Sequence, residues 1–206
     1  MGKEVDLKKG ELSRHVNKAL KAISDGYIIA IPLEHSYAFV CDAFKHDSVR
    51  AMNVLHGSPL FTSAQVLVGS AKTAQGVVRE ITPEISALMK KFWPGLLSLN
   101  LKPQLGLSWD LGDANQLDRI SIRTPKSTFA KALLAKSGPL AVTSGSRIGM
   151  PAPKELSDIF VLHSDLAFQF NGGKLRQGVP TTVAEADAEG VRVLRVGAIS
   201  LAEIQA

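Results

Sequence analysis

The 206-residue chain is most informative first for what it lacks. It has one cysteine, Cys41, so no disulfide forms within the chain, and this usage fits a reducing compartment. Cys41 ends the apolar run Tyr37–Cys41 and reads as packed core rather than as a nucleophile. No window approaches the roughly 18 unbroken apolar residues that a membrane-spanning helix needs. The opening stretch, MGKEVDLKKGELSRH, has no apolar core of the signal-peptide kind, so a cytoplasmic protein without a membrane partner is expected. The five histidines, His15, His35, His46, His56 and His163, are not spaced to hold a metal from one element, and no built-in metal site is expected.

Three nucleotide or hydrolase motifs are also missing. Gly69-Ser70-Ala71-Lys72-Thr73 is not a phosphate loop, because Ala71 and Val66 stand where that motif requires glycine. There is no Gly-x-Gly-x-x-Gly. The glycines around Ser146 give GSRIG rather than a nucleophile elbow.

What is present describes one ordinary globular domain spanning residues 1–206. Hydrophobic residues make up 45% and charged residues 21%, and no repeat, linker or low-complexity tract interrupts them. The net charge of +5 is a mild excess, compatible with a nucleotide or RNA partner.

Leu12, Val16, Leu20 and Ile23 recur at helical spacing over Glu11–Ser24, and Gly26 stops that helix. Short strands are expected at Tyr27–Pro32, Tyr37–Cys41, Ala64–Val68, Leu96–Leu101, Ile120–Arg123, Pro139–Val142, Thr181–Val183 and Val191–Val196. Helices are expected at Asp47–Leu55, at Thr82–Phe92 with a threonine cap and first-turn proline, and from Ser127 to Ala135. Two further helices are expected at Lys154–Phe160 and from Leu201, and Pro103–Asp118 reads as a surface excursion. This alternation predicts an α/β fold with one twisted, mixed, open sheet and flanking helices.

The most suggestive stretch is Pro139–Pro153, PLAVTSGSRIGMPAP. A short strand runs into small hydroxyl residues and glycine, a loop that lets backbone amides and hydroxyls approach an anion closely, with Arg147 supplying charge.

Taken in order, several segments resemble the YrdC/YciO family of threonylcarbamoyl-AMP synthases and their paralogues. Pro32–Val40 resembles the family segment that follows its first helix and strand, keeping the proline, the acid Glu34 and the tyrosine Tyr37. Trp93-Pro94-Gly95 is similar to its WPG, Arg123-Thr124-Pro125 to its RxP, and Pro139–Gly149 to its serine-rich loop. Thr181-Thr182-Val183 and Leu194–Ile199 are similar to its closing segments. The resemblance covers roughly residues 19–199.

It implies a twisted α/β fold with a concave basic face and an enzyme that joins L-threonine, bicarbonate and ATP into threonylcarbamoyl-adenylate. That product serves the modification of tRNA at adenosine 37. It implies nucleotide contacts from Arg123, Thr143, Ser144, Ser146, Arg147, His56 and Ser58. Substrate contacts would come from Glu34, Tyr37 and Thr181, with magnesium travelling on ATP. No catalytic residue is assigned.

The departures fall in the same places. His56-Gly57-Ser58-Pro59 stands where the family carries Lys-x-Arg before proline, Ser146 where it carries asparagine, and Leu33 and His35 where it carries threonines. A paralogue that binds tRNA, double-stranded RNA, a nucleotide or another small ligand without catalysis is therefore the alternative.

Overall fold

The computed structural model describes residues 3–107, 109–114, 116, 118–161 and 165–206. His163 and parts of the 103–118 stretch lie outside the described residues.

Ten strands form one mixed sheet. They are β1 (Lys3–Asp6), β2 (Ile29–Pro32), β3 (Tyr37–Asp42), β4 (Gln65–Leu67), β5 (Leu97–Leu101), β6 (Ile120–Arg123), β7 (Leu140–Ser144), β8 (Phe168–Asn171), β9 (Thr182–Asp187) and β10 (Gly190–Arg195). Their order is β1-β8-β2-β3-β7-β4-β6-β5-β9-β10. β2 pairs antiparallel with β3, and β3 with β7, so the first half of the sheet is bound to the serine-rich strand end. β4 and β6 run parallel to each other, as do β5 and β9.

The two faces are covered differently. On one, α1 (Leu12–Ser24) and α5 (Thr128–Ser137) press Val16, Ala19, Ile23, Leu133 and Leu134 onto Ile29, Ile31, Val40, Val142 and Phe170. On the other, α2 (His46–His56), α3 (Ala71–Gln75), α4 (Pro83–Phe92) and α6 (Leu201–Gln205) cover Phe39, Cys41, Val66, Leu99, Ile122 and Ala184. Strand alternation makes this possible, since neighbouring residues serve opposite faces. Cys41 is wholly buried, and burial pushes its thiol up to about 12, which makes it an inert core residue.

Local chemistry sets the helix starts. The Thr82 hydroxyl accepts from Ile85 N ahead of Pro83, and the Ser127 hydroxyl accepts from Ala130 N while donating to the Pro32 carbonyl at 2.9 Å. The latter bond ties the start of α5 to the end of β2, beside the site described below.

Three expectations need correction. The 103–118 stretch is not merely a surface excursion: Trp109 and Leu111 enter the core, and Trp109 packs edge-on against Phe44 at 5.2 Å. Two apolar side chains two residues apart in a glycine- and aspartate-rich loop carry no periodic signal. Lys154–Phe160 is not a helix but a single 3-10 turn, Leu156–Asp158, whose Asp158 carboxylate takes the amides of Lys154 and Glu155. Strands β1 and β8 and the short α3 are additions to the expected elements: KEVD in β1, charged at three positions, has no apolar alternation, whereas FQFN in β8 alternates but spans only four residues.

Candidate functional site

An open cleft of about 360 Å³ lies on the α1/α5 face, beyond the part of the sheet those helices cover. Ala38, Leu67 and Val142 form an apolar floor, with Thr143 and Ser144 at the end of β7. Arg123 enters from β6, and Thr181 and Arg195 from the β9–β10 side. Asn53, His56 and Ser58 form the facing wall, and Leu33 lies just past β2.

Arg123 is only 7% exposed. Its Nη1 donates to Glu34 Oε1 at 2.9 Å and to the Gly95 carbonyl at 3.1 Å. The same Glu34 oxygen accepts the Lys126 amide at 2.6 Å. Glu34 is therefore a buried counter-ion that locks Arg123 in place. The bonds use one guanidinium nitrogen, which leaves the other edge of Arg123 for a ligand.

Arg195 is held by a neighbour across the hairpin. Nε and Nη2 donate to the Thr181 carbonyl at 3.2 and 2.9 Å, and Nη2 also reaches Thr181 Oγ1 at 2.9 Å. Arg195 is not among the expected site residues; its segment, Leu194–Ile199, is similar to a closing segment of the family and carries no expected contact. Its lone signal in the sequence was an arginine near the end of the expected strand Val191–Val196.

On the facing wall His56 is bound to the serine loop. Its Nδ1 donates to the Ser146 carbonyl at 2.6 Å, since a carbonyl oxygen can only accept. The Ile148 amide returns a bond to the His56 carbonyl at 2.7 Å. Gly57 ends α2 in the left-handed region at φ 73°, a conformation that glycine adopts without a Cβ penalty. Asn53, one turn earlier, donates to the Thr62 and Leu111 carbonyls and so braces this wall against the 109–114 loop.

Thr143 Oγ1 is buried and has no hydrogen-bond partner, a costly arrangement that a ligand in the cleft would relieve. Ser144 and Ser146 bond to each other through their hydroxyls at 2.9 Å.

The cleft thus brings together Arg123, Thr143, Ser144, His56, Ser58 and Thr181, with Glu34 behind Arg123. Three expected site residues lie elsewhere. Tyr37 is fully buried on the opposite face of β3 from Ala38, where its hydroxyl donates to the Gly173 carbonyl at 2.7 Å and accepts the Gly172 amide. Burial raises its pKa, and its work is to tie β3 to the 171–173 turn. Arg147 is exposed and lines a separate pocket with Met150, Pro151 and Phe160. Ser146 is buried and opens on that second pocket, meeting the first only through Ser144 and His56.

Among the described residues no group of three His, Cys, Asp or Glu side chains could hold a metal. Among the described residues no carboxylate lines the cleft. The residues present do not fit a protein-held magnesium ion, and such an ion would have to arrive on the phosphates of a nucleotide.

The Sua5/YciO/YrdC family model, described as "Telomere recombination", matches residues 21–197. The chain belongs to the Sua5/YciO/YrdC family. A Mycobacterium tuberculosis protein with the provisional name threonylcarbamoyl-AMP synthase is 32% identical over 193 residues, covering 93% of this chain and 88% of its own length. The threonylcarbamoyl-AMP synthase of Pyrococcus abyssi is 26% identical over 89% of this chain but only 54% of its own.

Among solved structures, P. abyssi Sua5 complexed with L-threonine superposes with a TM-score of 0.87 at 25% identity, covering 100% of this chain and 60% of that one. Escherichia coli YciO shares the fold, with a TM-score of 0.83 at 20% identity over 99% of this chain and 98% of that one. The chain therefore spans about 60% of the Sua5 structure it matches. No helix among the described residues is long and apolar enough to cross a membrane.

Proposed function

We propose that the chain acts as a threonylcarbamoyl-AMP synthase, forming threonylcarbamoyl-adenylate from L-threonine, bicarbonate and ATP for the modification of tRNA. The supporting observation is the convergence of two fixed guanidinium groups, Arg123 and Arg195, on a cleft that also presents the unpartnered Thr143 hydroxyl. In this reading Arg195 and the free edge of Arg123 hold anionic groups of the substrates, while Thr143, Ser144 and Thr181 orient them. No lining residue is placed as a nucleophile or general base. The protein's contribution is then positioning and stabilisation of charge as the α-phosphate is attacked and pyrophosphate leaves. ATP brings its own magnesium, and the protein is expected in the cytoplasm.

A second reading is favoured by one observation: the α2 wall presents an imidazole and a hydroxyl, His56 and Ser58, and no lysine or arginine among the described residues. A non-catalytic paralogue would use the same cleft for tRNA, double-stranded RNA, a nucleotide or another small ligand. Calorimetry with magnesium–ATP, with and without L-threonine, followed by a pyrophosphate-release assay, separates the two. ATP binding strengthened by threonine, with pyrophosphate released, supports the synthase; binding without release supports the paralogue; no binding of either substrate overturns the synthase reading.

A further inference from the structure

A second recess lies at the other end of β2 from the cleft. The cleft takes Leu33, just past the C-terminal end of that strand, whereas this groove of about 640 Å³ takes Tyr27, just before its N-terminal end. Its lining is strongly basic. Lys3 on the edge strand β1 and Arg14, Lys18 and Lys21 on α1 set four cations around it, against one carboxylate, Asp25. That carboxylate is already paired with Lys21 at 3.0 Å. The whole chain carries a net charge of only +5, so much of the excess is gathered here.

The groove's floor is aromatic and apolar. The 57%-exposed Tyr27 and the partly buried Phe168 line it beside Ala22 and Ala167, and Lys18 Nζ lies over the Phe168 ring, 5.4 Å from its centroid. Phe168 is steadied by Phe170 at 6.1 Å, which packs in turn on Phe129.

We propose that this α1–β8 groove binds a single-stranded nucleic acid segment, with an unpaired base against Tyr27 and Phe168 and phosphodiesters on Lys3, Arg14, Lys18 and Lys21. Cations spaced four and three residues apart along one helix face form a continuous charged rail, since such positions are neighbours on the helix surface. A basic rail beside aromatic faces is the combination that holds a strand without reading its sequence. A bilayer needs several large apolar groups that protrude beyond the charges, and here Tyr27 is the one exposed large apolar residue among the lining residues. A neutral peptide would leave Lys3, Arg14 and Lys18 without a counter-charge. The proposal is independent of the cleft's chemistry, so loss of ATP or threonine binding would not touch it.

The test is fluorescence anisotropy of a labelled, unstructured oligonucleotide of about eight residues, as RNA and as DNA, titrated with the full chain. Binding should weaken as salt rises, with a log–log slope of about −2 to −3 for the neutralisation of three to four phosphates. The double variant Arg14→Glu/Lys18→Glu, at two exposed positions, should bind at least about tenfold more weakly, and Tyr27→Ala about tenfold more weakly through lost stacking. Magnesium–ATP and threonine calorimetry should be unchanged in both variants, which also verifies that they are folded. If the groove variants bind the oligonucleotide as the wild type does, or the wild type does not bind, the proposal fails. It fails equally if an acidic, aromatic-bearing peptide binds the groove and the oligonucleotide does not displace it.

Discussion

The two walls of the cleft hold their polar groups by different means. On the strand side both cations are tied to the fold: Arg123 neutralises the buried Glu34 and caps the Gly95 carbonyl, and Arg195 caps the Thr181 carbonyl. On the α2 side His56 and Ser58 carry no permanent charge, and the segment beyond them exposes Leu60 at 88% and Phe61 at 65%. Charge has been kept where the protein's own carbonyls and carboxylates need it, and is missing where only a ligand would have needed it. Arg123 is therefore weaker support for nucleotide chemistry than its place in the cleft suggests, because the fold would demand it in either reading.

The largest effect should come from breaking the strand side. In Arg123→Ala the Glu34 carboxylate stays buried with only the Lys126 amide, a loss of about 3–5 kcal/mol of stability as for other broken buried pairs. Urea denaturation measures it, and a loss under about 1 kcal/mol, the level of an exposed pair, would show that Arg123 is held for a ligand and not for the fold.

Next in size is the attempt to make the two walls alike. His56→Lys combined with Ser58→Arg restores two cations, each charge-assisted phosphate contact contributing about 1.5–3 kcal/mol. Magnesium–ATP affinity by calorimetry should rise about a hundredfold, the sum of two contacts at the low end of that range. An unchanged affinity would mean that the triphosphate does not approach α2, and the comparison between walls would lose its functional meaning. A smaller effect is expected for His56→Ala, which removes the bond to the Ser146 carbonyl and should cost about 1 kcal/mol in thermal or chemical denaturation. No loss would show that the imidazole does not clamp the serine loop.

The same contrast explains what was readable in the sequence. Strand and helix order was legible because apolar periodicity is local: Ile120–Arg123 is observed with the bounds expected for it, and Thr82 and Ser127 cap the helices they precede. The placement of Arg123, Thr143 and Ser144 along one cleft was legible because all three lie at strand ends.

Face and partner were not legible. Tyr37 and Ala38 are adjacent in the chain, yet only Ala38 meets the cleft, and which of two neighbours faces inward depends on a sheet register that pairs Ala38 with Ser144. Glu34 looked like a substrate contact because its counter-ion lies 89 residues away. His56 is joined to a carbonyl 90 residues away. Arg147 follows a motif that bends away from the cleft after Gly145, so sequence adjacency to Ser144 did not carry it into the site.

The smallest effect concerns what braces the α2 wall. The 109–114 loop supplies Leu111 O to Asn53, and beside it Asp113 is 5% exposed with no well-formed hydrogen bond to either carboxylate oxygen among the described residues. Burial, and then the nearby charge of Asp110, raise its pKa, although backbone amides partly offset this. Asp110 is itself paired with His46 at 2.9 Å. A raised carboxyl pKa means that the folded state binds the proton more tightly than the unfolded chain does. Stability should fall as pH rises from the ordinary aspartate value of about 3.9 through the raised folded value, and the full penalty is present above it. Asp113→Asn removes the charge, so the variant should be more stable than the wild type at about pH 7, and the gain should vanish below about pH 4. Urea denaturation at the two pH values measures the difference. A variant that is less stable at both would show that the carboxylate is satisfied by the loop's amides and is itself part of the brace, which would make the neutral wall as dependent on a fixed charge as the cationic one.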